Sequence, residues 1–203
     1  MKSSLITYCL LLITCYSSSF VPLTPWETLA VQAQTVEVEK IRAQQLLQRG
    51  IEQAKTNQLE AALQSFQEAR IIYQGIQDFL GEGQALNYLS LVYSSLKDYT
   101  KAIDYQQQVL AIARSLEDPH LEWSALSTLV SFFTQLEDEQ KIIEFAQQGL
   151  ILARESQNSQ WEWAALSTLA STYSSLENYE KVVEYAQQGL VVAQEVQNPN
   201  YEV

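Results

Sequence analysis

The chain has 203 residues, 47% hydrophobic and 18% charged, which gives room for one domain or one short repeat array with a real core. A formal charge of -12 excludes the basic footprint that a nucleic-acid binder needs, and it opposes approach to anionic lipid headgroups. One histidine and two cysteines, both near the N-terminus, are too few for the usual nitrogen and sulfur zinc site, so neither a metal nor a cofactor is expected.

Residues 1–33 differ from the rest. Lys2 precedes the apolar run Leu5 to Cys15, followed by three serines, Pro22 and Pro25, with Val31, Gln32 and Ala33 forming a small-residue cleavage pattern. Charge, short apolar run and small-residue site in that order predict a signal peptide cut after Ala33, and hence a secreted or periplasmic protein. The run is too short to span a bilayer, which takes roughly 20 residues. An uncleaved N-terminal anchor is the alternative. Cleavage would remove Cys9 and Cys15, and with them any disulfide. Residues 34–42 read as a short lead-in to the first helix.

From residue 43 the sequence repeats every 40 residues. Trp123-Ser-Ala-Leu-Ser-Thr-Leu returns as Trp163-Ala-Ala-Leu-Ser-Thr-Leu, and Glu144-Phe-Ala-Gln-Gln-Gly-Leu as Glu184-Tyr-Ala-Gln-Gln-Gly-Leu. Gly83-Gln-Ala-Leu-Asn-Tyr-Leu lies one period earlier. This divides 43–203 into units 43–82, 83–122, 123–162 and 163–202, the first more diverged.

Each unit predicts two helices of about 18 residues from stripes at helical spacing, such as Leu126, Leu129, Val130, Phe133 and Leu136. Asp98, Asp138 and Asn178 stand where N-caps are needed, and Asp118-Pro119 and Asn198-Pro199 set a cap before a first-turn proline. A lone hairpin cannot bury both stripes, so neighbours must stack. The expected fold is all-α: an α-solenoid of four helix-turn-helix repeats. Gly149 and Gly189, inside second helices, predict close packing between helices. The glutamines at 106–108 and 147–148 read as solvent-facing.

The second unit supplies Leu86, Leu89, Ser90, Tyr93, Asp98, Tyr99, Ala102, Ile103 and Tyr105, and the fourth Leu166, Leu169, Ala170, Tyr173, Asn178, Tyr179, Val182, Val183 and Tyr185. On these residues the chain resembles the tetratricopeptide repeat family. Its longer period is similar to that of Pins-type scaffolds and kinesin light chains, and of bacterial secreted proteins in which such repeats precede a caspase-like domain. The resemblance covers 43–202. It implies a right-handed superhelix whose first helices line a concave groove for a peptide or protein. Two features depart from the pattern: bulky Val130, Ile142 and Val182 replace small contact residues, and Arg49 and Gln53 sit at apolar positions, as in a solvated N-terminal cap.

At groove-facing phases lie Asn87, Leu91 and Ser95, then Ser127, Ser131 and Gln135, then Ser167, Ser171 and Ser175. Each trio shares a helical face. The lining is expected to be small and uncharged, without the cations that would clamp a terminal carboxylate. Trp123, Trp161 and Trp163 are candidate aromatic contacts, with packing across unit junctions the favoured reading. No nucleophile, base or phosphate loop stands out; His120 follows Pro119 at a helix start, and the acidic pairs fall in caps and first turns. The expectation is a non-enzymatic scaffold that binds protein or peptide, with no nucleic-acid partner and no membrane span in the mature chain. A different reading takes the chain as a truncated remnant or N-terminal fragment of a larger multidomain protein. Tyr201, Glu202 and Val203 resemble the start of a fifth unit, and an uncapped C-terminal end would favour self-association.

Overall fold

The computed structural model describes residues 24–196, and packing divides the chain after Glu39. The signal-peptide features up to residue 23 and the Asn198-Pro199 cap lie outside the described residues. Among the described residues there are eight helices and no strand: α1 Pro25–Lys55, α2 Leu59–Gly75, α3 Phe79–Ser95, α4 Tyr99–Ser115, α5 Pro119–Gln135, α6 Glu139–Glu155, α7 Ser159–Ser175 and α8 Tyr179–Val196. Helix α1 runs through Ala33, and its first part leaves Trp26, Leu29 and Val31 exposed.

Helices α2 to α7 have 17 residues each, one fewer than the stripes suggest, and three-residue turns complete the period of 40. The hairpins open at Phe79, Pro119 and Ser159, four residues ahead of the unit starts read from the repeat.

The turns share one design. Seven residues adopt left-handed backbone at intervals of 20: Asn57, Gln77, Lys97, Glu117, Glu137, Gln157 and Glu177, with φ between 52° and 61°. At Lys97 the amide donates to the Ser94 carbonyl, and the Asp98 amide donates to Tyr93, which closes α3 in a Schellman motif. The Asp98 carboxylate then accepts the Lys101 amide and opens α4. Asp78, Asp118, Asp138, Asn158 and Asn178 do the same, as expected for Asp138 and Asn178, whereas Gln58 makes no side-chain cap bond. One residue thus ends one helix and starts the next.

The hairpin interiors repeat with substitutions. Stacked rings join the two helices at Tyr93–Tyr105, Phe133–Phe145 and Tyr173–Tyr185, with centroids 5.5, 5.5 and 5.6 Å apart. In the first hairpin the same positions hold Gln53 and Ser65, and the Ser65 hydroxyl donates to the Gln53 carbonyl at 2.7 Å. Gln53 is therefore a tied, half-buried contact, not part of a solvated cap face. Nearby, a side chain on Gly50 would place its Cβ 2.5 Å from the Phe66 ring.

A second set of positions trades volume between helices. Gly83, Gln106 and Val109 in the second hairpin become Trp123, Ala146 and Gly149 in the third. The Trp123 ring lies 3.2 Å from where a Gly149 Cβ would stand, so a large ring faces a missing side chain. Gly189 differs from the expectation. A Cβ there would meet only Leu166, at an ordinary 3.9 Å.

The glutamines also correct the sequence reading. Gln106 is completely buried, and neither end of its amide has a hydrogen-bond partner. Such an amide costs about 1–3 kcal/mol. Gln106→Leu, similar in volume and without the stranded polar atoms, is expected to stabilise the chain by about 1–2 kcal/mol in urea titration, with an unchanged slope. Destabilisation would show that the amide finds a partner in solution.

Gln108, Gln148 and Gln188 join neighbouring repeats. Arg114 donates through Nε to Glu122 at 2.7 Å and through its terminal nitrogen to Gln148 at 2.7 Å. Arg154 does the same with Glu162 and Gln188 at 2.7 and 2.8 Å. In the preceding copy Arg70 donates to Gln108 at 3.0 Å and sits 3.7 Å from the buried Glu82.

Candidate functional site

The expected groove residues occupy the solvent side of α3, α5 and α7, one turn apart. Asn87 and Ser167 are half-buried, and Leu91, Ser95, Ser127, Ser131, Gln135, Ser171 and Ser175 are exposed. The i, i+4 spacing aligns each trio because 3.6 residues make a turn.

The structure gathers one trio into a cleft. Ser167, Ser171 and Ser175 of α7 face Thr134 and Val130 of α5 and Ile142 of α6 across an open volume of about 620 Å³. Glu137, in the turn, and Glu139, in the first turn of α6, stand in the same lining. The cleft is therefore acidic at one end rather than uncharged throughout. Ser127, Ser131 and Gln135 do not line it, and the α3 trio lies elsewhere along the array.

Several of these hydroxyls are turned inward. Thr134 donates to the Val130 carbonyl at 2.8 Å, Thr168 to Ala164 at 3.0 Å, Thr172 to Thr168 at 2.8 Å and Ser175 to Ser171 at 3.4 Å. A hydroxyl whose proton serves its own helix presents oxygen lone pairs outward. Together with two carboxylates, the lining offers mainly acceptors. A ligand that donates hydrogen bonds or carries positive charge fits it.

Helical-face reading missed Glu137 and Glu139 because they come from a turn and a helix start. The residues Thr168 and Thr172 were within its reach, being one position on from Ser167 and Ser171.

The tryptophans divide. Trp161 stacks flat on Trp123 with centroids 5.2 Å apart and 6° between planes, and His120 meets Trp161 edge-on at 5.0 Å. Both tryptophans are half-buried. Trp163 is half exposed and lines a second cleft, of about 310 Å³, with Leu166, Tyr185, Gly189 and Leu190.

A third cleft holds an ion pair, Lys40 Nζ to Asp78 Oδ2 at 2.7 Å. Partial burial raises the Asp78 carboxyl, but the hydrogen bond and charge of Lys40 and the Gly81 amide outweigh it and hold the group below its ordinary value. Among the described residues no three His, Cys, Asp or Glu side chains gather as a metal site would require, and no helix is long and apolar enough to cross a membrane.

Stacked hairpins of this length, with paired helices and no strand among the described residues, define an α-solenoid of tetratricopeptide type. Residues 83–120 match the family model described as a tetratricopeptide repeat, which assigns the second unit directly. Solved structures share the fold. RapI in its apo form superposes with a TM-score of 0.68 at 15% identity, over 80% of this chain and 45% of its own. Aspartyl phosphate phosphatase F of Bacillus subtilis gives 0.67 at 16% identity, over 79% of this chain and 42% of its own. The nearly identical TPR-like repeats of a kinesin light chain candidate from Podosopora anserina give 0.65 at 16% identity, over 83% of each chain. The chain thus spans less than half the length of the first two. No curated protein matches the sequence.

Proposed function

We propose that the chain is a non-enzymatic scaffold that binds a donor-rich, basic segment of a protein in the cleft of Ser167, Ser171, Ser175, Glu137 and Glu139. The observation that carries this reading is the lining itself, acceptor oxygens beside two carboxylates on a chain of net charge -12. Such a surface attracts Lys, Arg and amide side chains and repels acidic ones, and the attraction weakens with salt. Wrapping an extended segment along the faces of α3, α5 and α7 would add Asn87, Leu91, Ser127 and Ser131 to the contact.

The site of action is proposed to be outside the cytoplasm, on the order of charge, apolar run and small residues before Ala33. N-terminal sequencing of the protein from its native cells should then begin at Gln34. A second copy of the chain is a further candidate partner, at the last helix.

The binding reading is tested by titrating the full chain with fluorescein-labelled 15-residue peptides, one Lys/Gln-rich, one Glu-rich and one Ser/Gly. Only the Lys/Gln-rich peptide should saturate, with affinity falling about tenfold between low and physiological salt. Glu139→Lys with Ser171→Arg should abolish the binding. Equal binding of all three peptides, or binding that survives the double change, would sink the proposal.

A further inference from the structure

We infer that the acidic cleft continues into an anchor pocket at Trp123, where the bound basic segment inserts an apolar side chain of leucine to phenylalanine size. The inference rests on the groove reading above and adds the second element by which the partner is recognised.

The pocket is a void of about 140 Å³ formed by α5, α6 and α7. Trp123 and Val130 line it from α5, Ala146 and Gly149 from α6, and Ala164 and Thr168 from α7. Val130 and Thr168 also line the acidic cleft, so the two spaces adjoin. Along α6 the lining passes from Glu139 and Ile142 in the acidic cleft to Ala146 and Gly149 in the pocket. One furrow thus has a charged end and an apolar end.

Small residues stand where the space is. In the preceding hairpin the positions of Ala146 and Gly149 hold Gln106 and Val109, both buried. The Trp123 ring reaches to 3.2 Å from where a Gly149 Cβ would stand, and a void still remains beside it. Glycine is a poor choice inside a helix on conformational grounds, yet it sits well within α6.

The pocket holds little for water to bond to. Its two hydroxyls, on Ser127 and Thr168, donate to the Ser124 and Ala164 carbonyls of their own helices. The rest of the lining is apolar side chains, the Trp123 ring and Gly149. A buried water needs two to four polar partners, whereas an apolar space of roughly 150 Å³ takes a benzene-sized group. An aliphatic or phenyl side chain therefore suits it.

Helix geometry sets the spacing between the two ends. Glu139 and Ala146 are seven positions apart on α6, about 10 Å at about 1.5 Å per residue. An extended chain covers that distance in about three residues. A segment anchored at Trp123 brings its third neighbour to the carboxylates. The charged end draws in basic segments of many sequences, and the anchor discriminates among them.

The test uses the full chain and two fluorescein-labelled 15-residue peptides rich in Gln. One is centred on Lys-Gln-Gln-Leu-Gln-Gln-Lys, and its partner has Ala in place of Leu. The leucine peptide should bind about tenfold tighter than the alanine peptide. Ala164→Leu fills the pocket from α7 and lies outside the acidic lining. It should bring the leucine peptide down to the affinity of the alanine peptide and leave the latter unchanged. Gly149→Ala, which the Trp123 ring can admit by a shift of a few tenths of an ångström, should reduce the same advantage from the α6 side. Both variants should keep the far-ultraviolet dichroism of the parent. Equal binding of the two peptides, or a leucine advantage that survives both variants, would overturn the anchor and leave the basic-segment reading standing. A leucine advantage kept after both lysines are changed to glutamate would remove the basic partner instead. If neither peptide binds, the groove reading falls and the anchor falls with it.

Discussion

Placing glycine at Gln77, Lys97, Glu117, Glu137, Gln157 and Glu177 together is expected to raise the unfolding free energy by about 3 kcal/mol or more. Each of these residues holds left-handed backbone, with φ between 52° and 59° across the six, where a Cβ crowds the following carbonyl. Glycine removes that strain but adds freedom to the unfolded chain, and the net gain at such a site is about 0.5–1 kcal/mol. The junctions are far enough apart for the gains to add. Thermal melting should shift upward by about 6–12 °C, given about 2–4 °C per kcal/mol for a chain of this size. Asn57→Gly is the internal control, because asparagine already tolerates this conformation, and it should move the transition little. A combined variant that melts no higher than the parent would mean that the turns do not hold this geometry in solution.

The second large effect concerns Trp123, Ala146 and Gly149. Gly149→Val alone drives methyl groups into the Trp123 ring and should cost about 1–3 kcal/mol. Trp123→Gly alone empties the half-buried ring site and should cost about 3 kcal/mol. The second hairpin already shows a different filling of the same backbone, with Gly83, Gln106 and Val109. The triple exchange Trp123→Gly, Ala146→Gln and Gly149→Val should therefore recover about 2 kcal/mol of the summed loss, as coupling between the sites. Losses that simply sum would show that the three positions do not share one space.

Much of the array is legible in the sequence because its physics is local. Apolar residues at helical spacing and Asp or Asn ahead of each stripe mark helices and their starts within a few residues. The half-period of 20 is harder to see. It lies in the left-handed residues, and lysine, glutamate and glutamine at those positions give no sign of it, whereas glycine would. Gln106 looks like surface because it sits in a run of glutamines; its burial comes from packing against residues distant in the chain. The clamps of Arg114 with Glu122 and Gln148 span distant residues, yet their recurrence as Arg154, Glu162 and Gln188 was open to alignment of the units. Of the candidate site, the serine faces were readable from i, i+4 spacing. The acidic end was not, because Glu137 and Glu139 reach the cleft through the turn's geometry and not through a helical face.

The dual role of the turn residue reaches into how the protein comes apart. Asp98 closes α3 with its amide and opens α4 with its carboxylate, so melting α3 also strips α4 of its start. A single helix is then too small a piece to be lost alone. Native-state hydrogen exchange should show amides of adjacent helices sharing one opening free energy, in steps no finer than a hairpin, with the boundaries falling where a cap is missing. Gln58, which makes no side-chain cap bond, marks such a boundary between α1 and α2. The first helix is accordingly the one segment expected to open without taking its neighbour with it.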